Sequence, residues 1–400
     1  MIEGSTGVLP KPQSMVRGRD FRFGAVLAVL LVTGWVANHF VALMPTISDR
    51  QHLSTTTLDA IFGIYAVGLL PGLLIGGRVS DVVGRQAVAL TGSATAVVGT
   101  LAMLLSQQPD VLLAGRLIVG AGVGLAMTSG TAWASDLRGP AGAATAGAVL
   151  IAGFAIGPLA GGLIAGAGDL GVAVSFGVAA ALVVVAMAAT VIAARRTGAT
   201  RPPSTMSKQP AAAEFSSRRA LSWAMPLAPW VFASATLGFV SIPARIHTGL
   251  AAPAAVGLAA LIVNGSSGVI QLIARARSWG PKAGTVGAGL AALGYALIAV
   301  APSTMTLALA LPLLLILGCA SGLSLREGLI DLEAAAPQHV RGALTGIFYS
   351  VTYIGFGLPL VLTIVGFAGA QLILAAMAAL AASAAILRTI RLRRDSHRQN

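Results

Sequence analysis

Apolar runs of about twenty residues, with few charges, recur along the whole chain, divided by polar breaks, and each is long enough to cross a bilayer as a helix. They lie approximately at 22–47, 56–77, 87–106, 110–133, 141–166, 171–194, 221–244, 253–274, 283–303, 305–326, 342–366 and 369–389. In hydrocarbon a backbone must satisfy its own hydrogen bonds, so such runs become helices packed on one another. Composition agrees, because 56% hydrophobic and 10% charged residues with a mean hydropathy of +0.85 exclude a soluble domain. The expected fold class is an all-α integral membrane protein with twelve transmembrane helices.

The organisation of the chain follows from where its polarity changes. Residues 195–219 turn to Pro, Ser, Thr, Lys and Arg, including Pro202-Pro203, and read as a cytoplasmic linker. It separates an N-terminal six-helix half, 21–194, from a C-terminal six-helix half, 220–389, with tails at 1–20 and a basic 390–400. Residues 1–20 mix Pro, Gly and charge without a hydrophobic region, so a cytoplasmic tail is expected rather than a signal peptide. Basic residues gather in the tails, the linker and the breaks holding Arg78, Arg85, Arg138, Arg275, Arg277, Lys282 and Arg341, which assigns both termini to the cytoplasm. The net charge of +13 is thus a topology signal and an attraction to anionic membrane lipids, and no nucleic-acid partner is expected. The single Cys319 leaves no disulfide framework or thiolate metal site, and no cofactor is implied.

Gly153-Phe-Ala-Ile-Gly157-Pro158-Leu-Ala-Gly161-Gly162 stands out inside the fifth run. Four glycines let a neighbouring helix approach closely, and Pro158 removes one N–H and bends the segment. The eleventh run repeats the theme with Gly355, Gly357 and Pro359, and Arg341-Gly342 precedes it as Asp136-Leu-Arg138-Gly139 precedes the fifth. Two parallel halves of this kind point to a transporter with its site between them.

The break between the second and third runs reads Gly77-Arg78-Val79-Ser80-Asp81-Val82-Val83-Gly84-Arg85-Gln86, and the fourth run carries Leu112, Arg116, Val119, Gly120 and Gly122. With the Gly153–Gly162 pattern, these motifs resemble the major facilitator superfamily and, within it, the twelve-span drug/proton antiporters. Gly77, Asp81, Gly84 and Arg85 match that family's loop signature, while Val79, Ser80, Val82 and Gln86 depart from it. Val119 stands where the family pattern has Gln. The resemblance implies major facilitator architecture, a conformational latch at Gly77, Asp81, Gly84 and Arg85, and an antiporter motif at Gly153, Gly157, Pro158, Gly161 and Gly162 that packs against the other half. The partner expected for Asp81 is the start of span 11 near Gly342 or a basic residue beside it; the alternative is an interfacial loop with no switching role. The matching loop of the second half, Arg275 to Lys282, is degenerate and is assigned no latch.

Proton coupling needs a titratable group inside the membrane, and the inventory is thin. Arg116 lies roughly 9 Å inside the apolar layer, counted from Asp110 at about 1.5 Å per residue. It either snorkels outward or faces a wet cavity, where its charge acts on a neighbouring group. His39 lies roughly 25 Å along span 1 from Arg22 and reads equally as a proton carrier or a structural histidine. Asp59, at the start of span 2, is either a helix cap or a coupling acid. Glu327, the last coupling candidate, follows Arg326 roughly 30 Å along span 10, near the cytoplasmic end, where residence at the interface or an Arg–Glu gating contact is expected ahead of a central proton site; Asp331 and Glu333 fall in the following loop.

The substrate site is expected at mid-membrane between the halves, with Asn38, His39, Tyr65, Phe232, Asn264, Tyr349 and Tyr353 as candidates. Apolar walls with few acids suit neutral, weakly cationic or phenolic amphiphiles. The expected function is export of small hydrophobic or amphiphilic molecules from the bacterial cytoplasm in exchange for protons by alternating access, with a monomer in the membrane. Uptake or facilitated diffusion of a metabolite is the alternative. A membrane enzyme fits less well, since no Gly-x-Ser-x-Gly elbow, His-Glu-x-x-His helix or Walker loop occurs.

Overall fold

The computed structural model describes residues 13–197, 216–246, 249–337 and 340–399. Among the described residues all long elements are helices. The N-terminal set comprises α1 Gln13–Asn38, α2 Phe40–Gln51, α3 Thr55–Val83, α4 Arg85–Leu105, α5 Pro109–Ala165 and α6 Gly171–Thr197. The C-terminal set comprises α7 Ser217–Ala224, α8 Ala228–Thr236, α9 Ala252–Ala276, α10 Lys282–Val300, α11 Leu307–Ala335, α12 Arg341–Ile354 and α13 Leu358–Gln399. Eleven stretches among the described residues are long and apolar enough to cross a membrane, so the protein is a multi-pass membrane protein.

Two helical stretches run far beyond the thickness of a bilayer and are broken by glycine. The 57-residue α5 leaves helical geometry at Arg138 and at Gly139, whose φ is +64°, and so contains the spans Pro109–Gly139 and Ala141–Ala165. The last apolar stretch, Leu344–Asp395, has 52 residues, with Gly366 at φ +70° inside it. A side chain is strained at such a φ, whereas glycine adopts it freely. Along that stretch Gly346 lies against Leu74, near the end of the bundle that holds the termini. Thr363 then bonds Asp59 at the opposite, distal end, and Arg388 bonds the Pro281 carbonyl back at the terminal end. The chain therefore doubles back at Gly366.

Several boundaries differ from those expected. Helix α1 begins at Gln13, inside the segment read as a tail, and the first apolar run continues through α2 to Gln51. The break between the second and third runs is one residue, Gly84 at φ +108°; Gly77 and Asp81 belong to α3. Asp331 and Glu333 are helical as well, because no proline intervenes between Pro312 and Pro337 and α11 runs to Ala335. The seventh run is interrupted where Pro226 and Pro229 fall, and it passes through a π-helical turn at Leu237–Ser241.

Close backbone approach holds the bundle together, since apolar burial supplies little drive between helices in lipid. A Cβ on Gly120 would collide with the Tyr65 carbonyl, and one on Gly68 with the Leu117 carbonyl, so α3 and α5 cross in direct backbone contact. Phe40, Ile61, Leu69 and Phe176 are buried in the N-terminal set, and Leu313, Leu317 and Tyr295 in the C-terminal set. Val67, Val98, Val185 and Leu372 point outward, as lipid-facing positions do.

Candidate functional site

Two cavities lie between the N-terminal and C-terminal helix sets. The larger, about 430 Å³, sits at the distal end, where Met44, Asp49, Leu58 and Asp59 face Val240, Ile246, Leu250 and Val256. The smaller, about 20 Å³, has room for one water and is walled by Tyr65, Phe232, Phe239, Tyr353 and Phe356. Its side-chain amides are Asn38 and Asn264, beside Phe154, and Tyr65 and Tyr353 add phenol hydroxyls.

The aromatic walls come from both sets and pack on one another. Phe62 stacks on Phe356 with centroids 5.2 Å apart, and Tyr65 lies 5.7 Å from the same ring. Phe232 is 4.4 Å from Tyr353 and 5.3 Å from Phe356. Helices α8 and α12 meet closely because a Cβ on Gly355 would strike the backbone at Phe232 and Ala233. The Thr236 hydroxyl donates to the Gly355 carbonyl at 2.9 Å.

Five of the seven expected substrate residues, Asn38, Tyr65, Phe232, Asn264 and Tyr353, thus share one small cavity. The other two do not line it. His39 is buried against Phe176, with centroids 5.5 Å apart, and its Nδ1 faces the Val36 carbonyl at 3.1 Å. Tyr349 packs on Phe348 and Tyr353, beside the wall. Sequence reasoning missed Phe239, Phe356 and Phe154, although Phe356 lies between Gly355 and Gly357 and Phe154 lies inside the Gly-Pro cluster, a signal already in hand.

The glycine-rich segment of α5 is wedged between two neighbours. A Cβ on Gly153 or Gly157 would collide with the backbone of α1 at Leu31, Gly34 or Trp35. Gly161 faces Ser175 and His39. Gly162 has no space for a Cβ beside the Pro253 carbonyl, and Gly257 approaches Pro158 and Leu159 just as closely, so this segment touches α9 of the C-terminal set.

Arg116 neither snorkels nor pairs with an acid. It is 1% exposed and donates from Nη1 to the Ala37 carbonyl at 3.2 Å. Its guanidinium carbon lies 4.4 Å from the Tyr65 ring centroid and 4.8 Å from that of Phe40. Its Nε and Nη2 are buried without a hydrogen-bond partner. The other charged candidates lie apart. Asp59 lines the distal cavity and accepts from Thr363 of α13 at 2.6 Å. Glu327, 1% exposed, pairs with Arg326 and lies 3.9 Å from Arg388, which in turn bonds Asp331 at 2.6 Å. Asp331 is therefore part of a buried ionic cluster rather than a loop residue.

At the terminal end Asp81 pairs with Arg85 at 2.5 Å, and Arg85 also reaches Asp136 at 3.0 Å and the Ser80 hydroxyl at 2.7 Å. Gly84 makes the turn that brings Arg85 back onto α3. The partners expected for Asp81, the Arg341 side chain and Gly342, lie outside the residues whose side chains are described.

One stretch of 96 residues, 24% of this chain and 24% of each relative, is 31% identical to multidrug resistance protein MdtL of Escherichia coli and of Shigella boydii. The match spans about a quarter of the length of those relatives. A peptide transporter POT has a TM-score of 0.74 at 13% identity, covering 92% of this chain and 94% of that one. The POT family transporter PepTSo has a TM-score of 0.72 at 12% identity over 93% and 97% of the two chains. At such identity these structures establish the fold alone. The sequence profile of the Major Facilitator Superfamily matches residues 26–358, and the chain belongs to that family of membrane transporters.

Proposed function

We propose that this transporter is a secondary active exporter of small hydrophobic or amphiphilic compounds, driven by proton exchange across the bacterial cytoplasmic membrane. Counting the doubled-back segment at Gly366 as two spans gives twelve crossings in two six-helix halves, with the linker between them and the basic termini in the cytoplasm. The observation that carries the reading is the cavity shared by both halves, where Tyr65, Phe232, Tyr353 and Phe356 offer aromatic surface, and two asparagine amides and two phenol hydroxyls are the polar fittings. Such a lining selects flat, weakly polar molecules over multiply charged ones. The partial likeness to MdtL supports efflux as the direction.

In the alternating-access cycle the described state is open on the distal side. A cavity of about 430 Å³ faces that end, while α3 and α12 meet at Leu74 and Gly346 on the terminal side. Asp59 is the coupling acid we favour. Its carboxylate lines the distal cavity and accepts from Thr363 of the other half, so protonation alters a contact between the halves. Arg116 fixes positive charge beside Tyr65. Asp81, Arg85 and Asp136 act as the terminal-side latch, and the Gly153–Gly162 segment seals α5 against α9.

Uptake of a fluorescent amphiphilic cation and of a neutral drug into inverted vesicles, with an imposed pH gradient, tests this. Gradient-dependent accumulation that Asp59→Asn uncouples is expected. Flux that ignores the gradient would instead assign the protein to facilitated diffusion.

A further inference from the structure

A helix carbonyl normally accepts the N–H four residues on. For Phe154 that residue is Pro158, which has none to give. The freed carbonyl is not left bare. The Asn38 amide of α1 donates to it at 3.0 Å, and the Asn264 amide of α9 reaches it from the C-terminal half at 3.3 Å. The C-terminal half repeats half of this device. Pro359 has no N–H to give the Gly355 carbonyl, which accepts instead from the Leu358 N–H of a tight 3-10 turn and from the hydroxyl of Thr236 of α8 at 2.9 Å. In each half, then, a carbonyl whose usual four-on donor is a proline accepts from a polar side chain of that half's own first span. The extra donor from across the boundary, Asn264, occurs at Phe154 alone of the two.

That extra donor is the replaceable one. Its bond is the longer of the two at Phe154, and the same Asn264 nitrogen also donates to the Ala260 carbonyl of its own helix at 3.0 Å. Releasing Phe154 therefore leaves the amide still bonded. Asn38, Phe154 and Asn264 all line the aromatic cavity, which is now only large enough for a water, so a ligand that enters as the halves part and widen it reaches the same carbonyl lone pair.

We propose that the Phe154 carbonyl is the polar anchor of the substrate site, and that an aromatic amphiphile carrying an N–H or O–H donor, an arylamine or a phenol, takes the place of the Asn264 amide on it. The exchange both recognises the ligand and unties α9 from α5. This rests on the reading of the central cavity as the transport site.

The test uses the full chain in lipid nanodiscs with two aromatic monocations, ethidium, which carries aryl amines, and tetraphenylphosphonium, which has no N–H or O–H. Pro158→Ala restores an in-helix donor to Phe154 and should weaken ethidium about tenfold, the worth of one contested hydrogen bond. Asn264→Ala removes the competitor and should tighten ethidium several-fold, with tetraphenylphosphonium unchanged in both variants. Equal shifts for both probes would overturn the proposal, since they would reflect straightening of the helix rather than the carbonyl. A probe-free arm decides the matter if neither cation binds. With Cys319→Ser as background, the thiol introduced by Ala235→Cys should react several-fold faster with a thiol reagent when Asn264→Ala is added than in its parent, and an unchanged rate overturns the tie. Intact gradient-driven flux without this discrimination would defeat the anchor and leave the exporter reading standing. Probe discrimination without flux would do the reverse.

Discussion

Arg388 offers the sharpest test of how the C-terminal helices are held together. Its side chain is 5% exposed, bonds Asp331 at 2.6 Å and the Pro281 carbonyl at 3.2 Å, and lies 5.3 Å from the Trp223 ring centroid. One guanidinium thus joins α7, the turn before α10, α11 and α13. Replacing it with Met keeps the length and removes all of these contacts, while Asp331, whose side chain is 12% exposed, is left without its cation. A charge-assisted hydrogen bond contributes about 1.5–3 kcal/mol, and stripping one partner from a buried pair costs about 3–5 kcal/mol, so Arg388→Met should destabilise by the latter amount. Arg388→Met with Asp331→Leu should recover at least about half of that loss, because no uncompensated charge then remains buried. Unfolding in detergent–SDS mixtures, run as a double-mutant cycle, measures both numbers. A single-variant cost under about 0.5 kcal/mol, or strict additivity in the cycle, would refute the argument that the pair is buried and coupled.

Arg116→Met should hold or raise the melting temperature while abolishing gradient-driven flux, because a dry guanidinium with two unbonded nitrogens is a burden that only function explains. Gly162→Val, which drives a side chain into the Pro253 carbonyl, should cost about 1–3 kcal/mol in thermal unfolding and loosen the distal contact between the halves. Arg85→Gln breaks partly exposed ion pairs to Asp81 and Asp136, so it should change stability by less than about 1 kcal/mol yet slow vesicle transport several-fold. Thr363→Val should lower flux and leave its dependence on the pH gradient intact, whereas Asp59→Asn should remove that dependence; identical profiles for the two variants would exclude Asp59 as the coupling acid.

Much of the architecture was legible in the residues because hydropathy and chain breaks are local properties. The apolar runs at 56–77 and 87–106 correspond to α3 and α4, and Gly139, Gly84 and Gly366 mark sharp turns where a side chain would be strained. Boundaries drifted where polarity was mistaken for a break. Asp331 and Glu333 read as loop residues, but nothing among them opposes a helix and Arg388, 57 residues away, makes a partner for Asp331. Asn38, Asn264, Tyr65, Phe232 and Tyr353 were singled out one by one from residue type and depth, whereas Phe154, Phe239 and Phe356 of the same cavity were not.

The sequence by itself determined that this is a membrane-spanning helical protein, roughly where each helix begins and ends, and which few polar residues lie within the apolar layer. Tertiary structure decided which face of each helix those residues occupy. His39 and Asn38 are neighbours in the chain, yet Asn38 lines the central cavity and His39 is buried against Phe176. Asn38 and Asn264 converge on the carbonyl that Pro158 frees, across more than 100 positions of sequence. The physical reason is that the rotation of a helix about its own axis is set by the close contacts of its small residues with other helices, such as Gly153 against Leu31 and Gly257 against Pro158. Those contacts belong to pairs of helices, and hydropathy along either one alone does not encode them.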